Sequence, residues 1–237
     1  MFKKVIKYSI RFILLFILAI NIYLLITIGL LKFINPPTTA FIQQSENEIF
    51  LGIFGSKNVS QNWVPLKSMS NNIIFAVIAS EDQRFLDHFG IDFTEFEKVI
   101  EKTVDGKKSR GASTITQQTA KNLFLFPQKT FVRKGIEIYY SFFMELIWGK
   151  KRIMECYLNI AQFGKNIYGV EAASQYYFNK SSQFLSSNEA VQLAAILPNP
   201  IRLKIKNKSR YLINRIARIE NQIDNLDRTL IIEELKN

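Results

Sequence analysis

The pattern of apolar and polar positions changes character early in the chain. Phe12 to Leu31 is a run of twenty residues without a charge, broken only by Asn21, Thr27 and Gly29. As a helix rising 1.5 Å per residue it is about 30 Å long, the thickness of a bilayer's hydrocarbon core, so the run predicts a membrane span. A cleavable signal peptide has a shorter apolar stretch, of about 7 to 15 residues, followed by small residues. Here Lys32-Phe-Ile-Asn-Pro-Pro37 follows instead. Lys3, Lys4, Lys7 and Arg11 precede the span, and only Lys32 directly follows it. The positive-inside rule then places the N-terminus in the cytoplasm and everything after Pro37 outside.

Residues 38–65 mix polar and apolar positions, with Gly52 and Gly55 among Ile and Phe. They read as a linker holding one or two strands. From Leu66 the periodicity is helical: Ile73, Val77 and Ile78 share a face, and Phe93 to Lys102 repeats apolar residues at three- and four-residue steps. Residues 103–112 have two glycines, several cations and no apolar period, which predicts a mobile loop. Thr114 and Gln117 fit a capping box whose helix stops before Pro127. Further helices are predicted over 131–159, with a break near Gly149, over 167–177, and over 188–197, where Pro198 and Pro200 end the pattern. Leu212, Ile213, Ile216, Ile219 and Ile223 form one side of an amphipathic helix over 209–226, which packs on the domain or lies on the membrane. The fold class expected is mainly α: a basic tip and anchor over 1–37, a linker over 38–65 and one domain over 66–237.

Charge narrows the partners. The net charge is +11, but Lys3, Lys4, Lys7, Arg11 and Lys32 flank the span. Between Lys98 and Arg152 twelve Lys or Arg face four Asp or Glu, which suits an anionic membrane or a phosphate-bearing substrate. Nucleic acid is not an expected partner. The single cysteine, Cys156, excludes an intrachain disulfide and falls in an apolar helical stripe, where it reads as a packed thiol.

Several residues carry chemistry. Glu81 directly follows the apolar run Ile73 to Ala79, and partial desolvation there would suit a general base. Taken alone, the Glu81-Asp82 pair is explained at least as well by solvation of a helix end. Arg133, Lys134 and Glu137 are neighbours on one helix, an arrangement that a surface ion pair accounts for as well as a site does. Gln117 and Lys121 lie one turn apart, and Gln118 neighbours both Lys121 and Asn122; such a face can hold a phosphate by charge and hydrogen bonds. His88 is the only histidine, with no cysteine nearby to complete a zinc site, and reads as a structural hydrogen-bonding residue. No Gly-rich phosphate loop, Ser-x-x-Lys or Lys-Thr-Gly occurs, so nucleotide-driven chemistry and penicilloyl-type acyl transfer lack their usual residues.

Five ordered stretches combine these residues: Glu81-Asp-x-x-Phe85-x-x-His88-x-Gly90-x-Asp92, Gly111-x-Ser-Thr-Ile-Thr-Gln-Gln-x-x-Lys-Asn122, Arg133-Lys-x-x-Glu137, Lys151-x-Ile-x-Glu-x-Tyr-Leu-Asn159 and Ala194-Ala-x-Leu-Pro198-x-Pro200. In them the chain resembles the peptidoglycan glycosyltransferases, both the monofunctional enzymes and the glycosyltransferase domains of class A penicillin-binding proteins. The resemblance extends from about Leu66 to Pro200. It implies a large lobe related to lysozyme and a smaller, mobile, membrane-proximal lobe that would include 103–112. It also implies polymerisation of lipid II into glycan strands at the outer face of the cytoplasmic membrane. In that reaction the GlcNAc 4-hydroxyl of lipid II attacks C1 of the MurNAc at the lipid-linked end of the growing chain. Undecaprenyl diphosphate leaves, and inversion gives a β-1,4 linkage.

By the same resemblance Glu81 matches the general base, and Lys121, Arg133 and Lys134 match positions that bind diphosphate. Glu137 matches a second glutamate that positions the donor diphosphate, binds a divalent ion or assists departure. Ser113, Thr114, Gln117, Gln118 and Asn122 would line the cleft, with Asp82, Phe85 and His88 as the scaffold around Glu81. No fixed cofactor is implied, although a divalent cation, Mg or Mn, could accompany the diphosphate. The implied partners are lipid II, the nascent glycan chain, the membrane, and elongation or division proteins of the cell wall. Two positions depart from the family pattern: Ala112 stands where many members have a second glycine, and a familiar proline after Pro200 is replaced by the basic, apolar run Ile201 to Lys206. Without transpeptidase motifs the monofunctional form is expected. The rival readings are a peptidoglycan-cleaving muramidase, which has no need of the Lys121, Arg133 and Lys134 set, and an inactive membrane-tethered scaffold, for which neither glutamate is needed.

Overall fold

A computed structural model describes residues 2–45, 59–105, 111, 113–125 and 130–236, and the chain divides into the units Met1–Pro36 and Pro37–Asn237. The first unit is helix α1 (Phe2–Leu31), the one helix among the described residues long and apolar enough to cross a membrane. Its polar side chains turn back onto their own helix: Asn21 Nδ2 donates to the Ile17 carbonyl at 2.7 Å and Thr27 Oγ1 to that of Tyr23 at 2.8 Å. Polar groups satisfied within the helix are what an apolar solvent requires.

The second unit is built around α3 (Asn71–Glu81). Ile73, Ile74, Ala76, Val77, Ile78 and Ala79 are all buried, so this helix is apolar all round, as a helix in the centre of a core must be. The helices α8 (Ser187–Ile196) and α9 (Arg210–Ile223) pack along it. Beside them α5 (Ile115–Phe124) packs against the long α6 (Phe131–Ile160). Both halves of the expected capping box are made at the start of α5 by Thr114 and Gln117. The break expected in α6 falls at Gly149, whose φ of 74° leaves the helical region. α4 (Phe93–Val104) runs two residues into the segment read as a loop; of that segment 106–110 and 112 lie outside the described residues, and with them the departure at Ala112. Cys156 is buried, and burial pushes its thiol up to about 12, as a packed thiol should be.

Three expectations are corrected by long-range contacts. The segment read as a linker contributes to the domain at both ends: α2 (Ala40–Ser45) packs on α5 with Ala40 and Ile42 buried, and β1 (Ser60–Gln61) pairs parallel with β3 (Ile167–Tyr168). Residues 46–58 between them lie outside the described residues. The helix expected over 167–177 is instead β3 followed by α7 (Val170–Phe178), with Gly169 at φ 81° between them; β3 also pairs antiparallel with β2 (Gln162–Gly164). The tail holds a second helix, α10 (Arg228–Lys236), which buries Ile231 and Leu235. α9 turns Leu212, Ile219 and Ile223 into the protein, so of the two readings of this amphipathic helix the domain takes it.

Glu171 in α7 secures the turn that follows. Its carboxylate accepts the Ser182 backbone N–H at 2.7 Å, Gln175 Nε2 at 3.0 Å and Ser181 Oγ at 3.2 Å. Burial pushes its pKa up, but these hydrogen bonds outweigh it and hold the group below its ordinary value. A carboxylate with a depressed folded pKa adds stability that is present above the unfolded pKa and lost as pH falls through the folded one. Glu171→Gln is therefore expected to cost about 1–3 kcal/mol at neutral pH and to show a smaller loss of stability in acid than the wild type. Thermal unfolding at neutral and acidic pH reads both effects.

Candidate active site

Glu81 is the last residue of α3, and the chain leaves the helix at Asp82, whose φ is −162°. That ending points the carboxylate into a cleft of about 1090 Å³ bounded by the end of α3, by α4, by Gly111, Ser113, Thr114 and Gln118, and by Tyr211, Arg215, Arg218 and Gln222 of α9. Among the described residues three donors hold the carboxylate. Ser80 Oγ and Arg215 Nη2 each donate to Oε1 at 2.9 Å, and Gln118 Nε2 donates to Oε2 at 3.0 Å.

The neighbouring residues pack and hydrogen-bond around the end of α3. Asp82 is buried and accepts the Ile115 backbone N–H at 2.9 Å, placing a negative charge at the N-terminus of α5, while His88 Nε2 lies 2.9 Å from its other oxygen. The α3 end and the α5 start are thus tied together beside Glu81. Phe85 is fully buried, with Lys150 Nζ 4.7 Å from its ring centroid. Asp82, His88 and Asp92 bring ligand atoms within 4.8 Å of one another; within this cluster Asp82 is engaged by His88 and by the Ile115 N–H.

The cationic residues gather around a second carboxylate. Glu137 is buried and accepts Arg133 Nη1 at 2.6 Å and a short contact from Lys134 Nζ. Lys134 also donates to Ser113 Oγ at 3.0 Å and Gln117 Oε1 at 3.1 Å. Ser113 lines the cleft, so it joins this cluster to the space in front of Glu81. Lys121 is subject to the charges of Glu137, Arg133, Lys134 and Glu81; burial lowers its pKa from 10.5, Glu137 opposes that shift, and the two cations add to it. Of the residues expected to line the cleft, Ser113, Thr114 and Gln118 do so. Gln117 and Asn122 are buried and do not line that cleft, because Gln117 is spent on the cap of α5 and on Lys134. Thr114 is divided between cleft and scaffold: its Oγ1 donates to the Gly90 carbonyl at 2.6 Å and caps α5.

Residues 47–224 match the family model described as Transglycosylase. The chain belongs to the transglycosylase family. It is 50% identical over 195 residues to the biosynthetic peptidoglycan transglycosylase of Shewanella frigidimarina, 82% of each chain. It is 44% identical over 216 residues to that of Marinomonas sp., covering 91% of this chain and 88% of the relative. It is 53% identical over 168 residues to that of Shewanella denitrificans, covering 71% and 73%. This transglycosylase is a glycosyltransferase of peptidoglycan synthesis.

Two residues beside Glu81 in this transglycosylase were given no role from the sequence, although one of them, Tyr157, stands in the fourth of the five stretches. Tyr157, buried in α6, donates its hydroxyl to Gln118 Oε1 at 3.3 Å, which turns the amide nitrogen of Gln118 toward Glu81. Burial, then the charges of Glu81 and Asp82, raise the Tyr157 pKa well above 10.0, so it remains a neutral donor. Arg215 on α9 is the other. A signal for it exists in hindsight: it falls on the apolar side of α9, between the buried Leu212 and Ile219, where a charge without a partner would be costly.

Proposed function

We propose that this transglycosylase polymerises lipid II into β-1,4-linked glycan strands at the outer face of the cytoplasmic membrane, with α1 as a single-pass anchor and the N-terminus in the cytoplasm. The observation that carries the reading is a carboxylate held by three donors in a large cleft, adjoining a Lys/Arg cluster centred on the buried Glu137. The relatives' names supply the substrate class, peptidoglycan.

In this mechanism Glu81 takes the proton of the GlcNAc 4-hydroxyl as its oxygen attacks C1 of the donor MurNAc. The C1–O bond breaks with its electron pair going to undecaprenyl diphosphate, and the anomeric centre inverts. Positioned base catalysis contributes about 10² to 10⁴ in rate, so stabilisation of the departing diphosphate must supply much of the remainder. Lys121, Arg133 and Lys134 are the groups for that task, with Ser113 and Gln118 beside them. Glu137 holds Arg133 and Lys134 in place, and it is the carboxylate that would hold a divalent cation, Mg or Mn, were one to accompany the diphosphate. Glycan cleavage would instead use a glutamic acid that donates a proton. Three donors directed at Glu81 suit an acceptor, which favours synthesis.

The direct test is incorporation of labelled lipid II into lysozyme-sensitive polymer by the detergent-solubilised protein. Polymer is the expected product; its absence from well-folded protein beside an active control enzyme would overturn the reading in favour of a scaffold. Within the same assay Lys121→Ala is expected to lower kcat/KM for the donor by about 10- to 100-fold, the worth of one charged hydrogen bond. Diphosphate binding needs the protonated amine. Because the Lys121 pKa is lowered, activity should decline on the alkaline side below the range of an ordinary lysine. In Lys121→Arg that decline should move to higher pH; an identical alkaline limb would remove Lys121 from the donor site.

A further inference from the structure

Arg215 reaches the end of α3 from a helix whose sequence position is 134 residues away from Glu81. Its Nη2 donates to Glu81 Oε1 at 2.9 Å and to Ser80 Oγ at 2.7 Å, and its Nε donates to the Ala195 carbonyl at 3.1 Å. The side chain is 8% exposed. A buried ion pair is weak evidence for stability, because desolvation offsets the Coulomb attraction. Its geometry is better explained by what it does to the carboxylate.

A carboxylate offers about four lone-pair positions, two on each oxygen. Ser80 has one hydroxyl hydrogen and accepts Arg215 on its lone pairs, which leaves its hydrogen for Glu81 Oε1 at 2.9 Å in preference to the Ala194 carbonyl at 3.3 Å. Arg215 therefore acts on Oε1 twice, directly and through Ser80, and both lone pairs of Oε1 are taken. Oε2 carries Gln118 alone among the described residues and retains a free position.

We propose that Arg215 is a positioning residue for the reaction, saturating Oε1 of Glu81 so that Oε2 receives the proton of the attacking hydroxyl. The proton moves from the acceptor oxygen to Oε2 while that oxygen forms its bond to C1 and the diphosphate leaves with the C1–O electrons. The proton then passes from Oε2 to solvent. This assignment makes α9 part of the catalytic apparatus, and it rests on Glu81 being the base.

The test uses the full chain in detergent with labelled lipid II, measuring kcat and KM for the wild type, Arg215→Gln and Arg215→Lys, with thermal unfolding of each. Arg215→Gln is expected to lower kcat by about 10²-fold, the scale of a misaligned catalytic group, with KM within a few-fold of wild type. Arg215→Lys keeps the buried charge but has a single ammonium in place of the fork, and should fold normally with an intermediate kcat. A rise in KM at constant kcat would make Arg215 a substrate-binding group and overturn the assignment. So would wild-type kcat in Arg215→Lys. Failure of the wild type to make polymer would instead strike the glycosyl-transfer reading itself.

Discussion

Glu81→Gln is expected to lower kcat for glycan polymerisation by about 10² to 10⁴-fold, the share of the rate that a positioned base supplies. The substitution is close to isosteric, but its amide has one acceptor oxygen where the carboxylate has two. With that oxygen turned to Ser80 and Arg215, its NH₂ meets the Gln118 amide nitrogen, donor against donor. Gln118 could relieve this only by flipping, which turns its NH₂ toward Tyr157 and obliges that hydroxyl to rotate from donor to acceptor. A modest loss of stability should therefore accompany the loss of rate, and the two are separable by measuring the unfolding midpoint beside kcat. Because the cationic cluster around Glu137 does not pass through the Glu81 carboxyl, KM for the donor should change far less than kcat. A Glu81→Gln enzyme that polymerises at the wild-type rate would remove Glu81 as the base, whatever its geometry.

Gly169→Ala should be the most destabilising single-atom change in the domain's small β region. A Cβ there would stand 2.6 Å from the Asn159 carbonyl oxygen and 3.2 Å from its carbon, and the residue holds φ at 81°. Both obstacles are backbone, so no rotamer change relieves them. Asn159 cannot withdraw at low cost. Its side chain accepts the Val64 N–H at 2.8 Å and donates to the Val64 carbonyl at 2.9 Å, and its own carbonyl accepts Gln61 Nε2 at 2.9 Å. Positive-φ strain and overpacking together cost roughly 2 to 6 kcal/mol, a large part of the 5 to 15 kcal/mol that holds a typical domain folded. The expected result is a sharply lowered thermal midpoint or failure to accumulate folded protein; an unchanged midpoint would show that the end of α6 yields freely.

What could be read along the chain is what depends on neighbours in sequence. A charge-free run of bilayer length predicts its own helix, and the Thr114–Gln117 box predicts the start of α5, because both are local hydrogen-bond and solvation problems. The Arg133, Lys134 and Glu137 cluster was legible for the same reason: three- and four-residue steps on a helix bring side chains together before any tertiary contact forms. Gly149 announced the bend in α6. The resemblance carried by the five motifs named the family, and it pointed to Glu81 and Asp82 for the candidate site.

Tertiary structure decided everything that joins distant segments. Local pattern does not distinguish a helix over 167–177 from β3 and α7, since Ile167 and Tyr168 are held extended by pairing with β2 on one side and with the distant Ser60 and Gln61 on the other. The expected linker is drawn in because Asn159 satisfies the backbone of Val64. The surroundings of Glu81 are the clearest case. Gln118, Tyr157 and Arg215 come from α5, α6 and α9, and nothing in the spacing of their positions specifies that they meet one carboxylate. Local periodicity determines which face of each helix is buried; only the packing of those faces against one another determines which buried polar groups are left to satisfy each other.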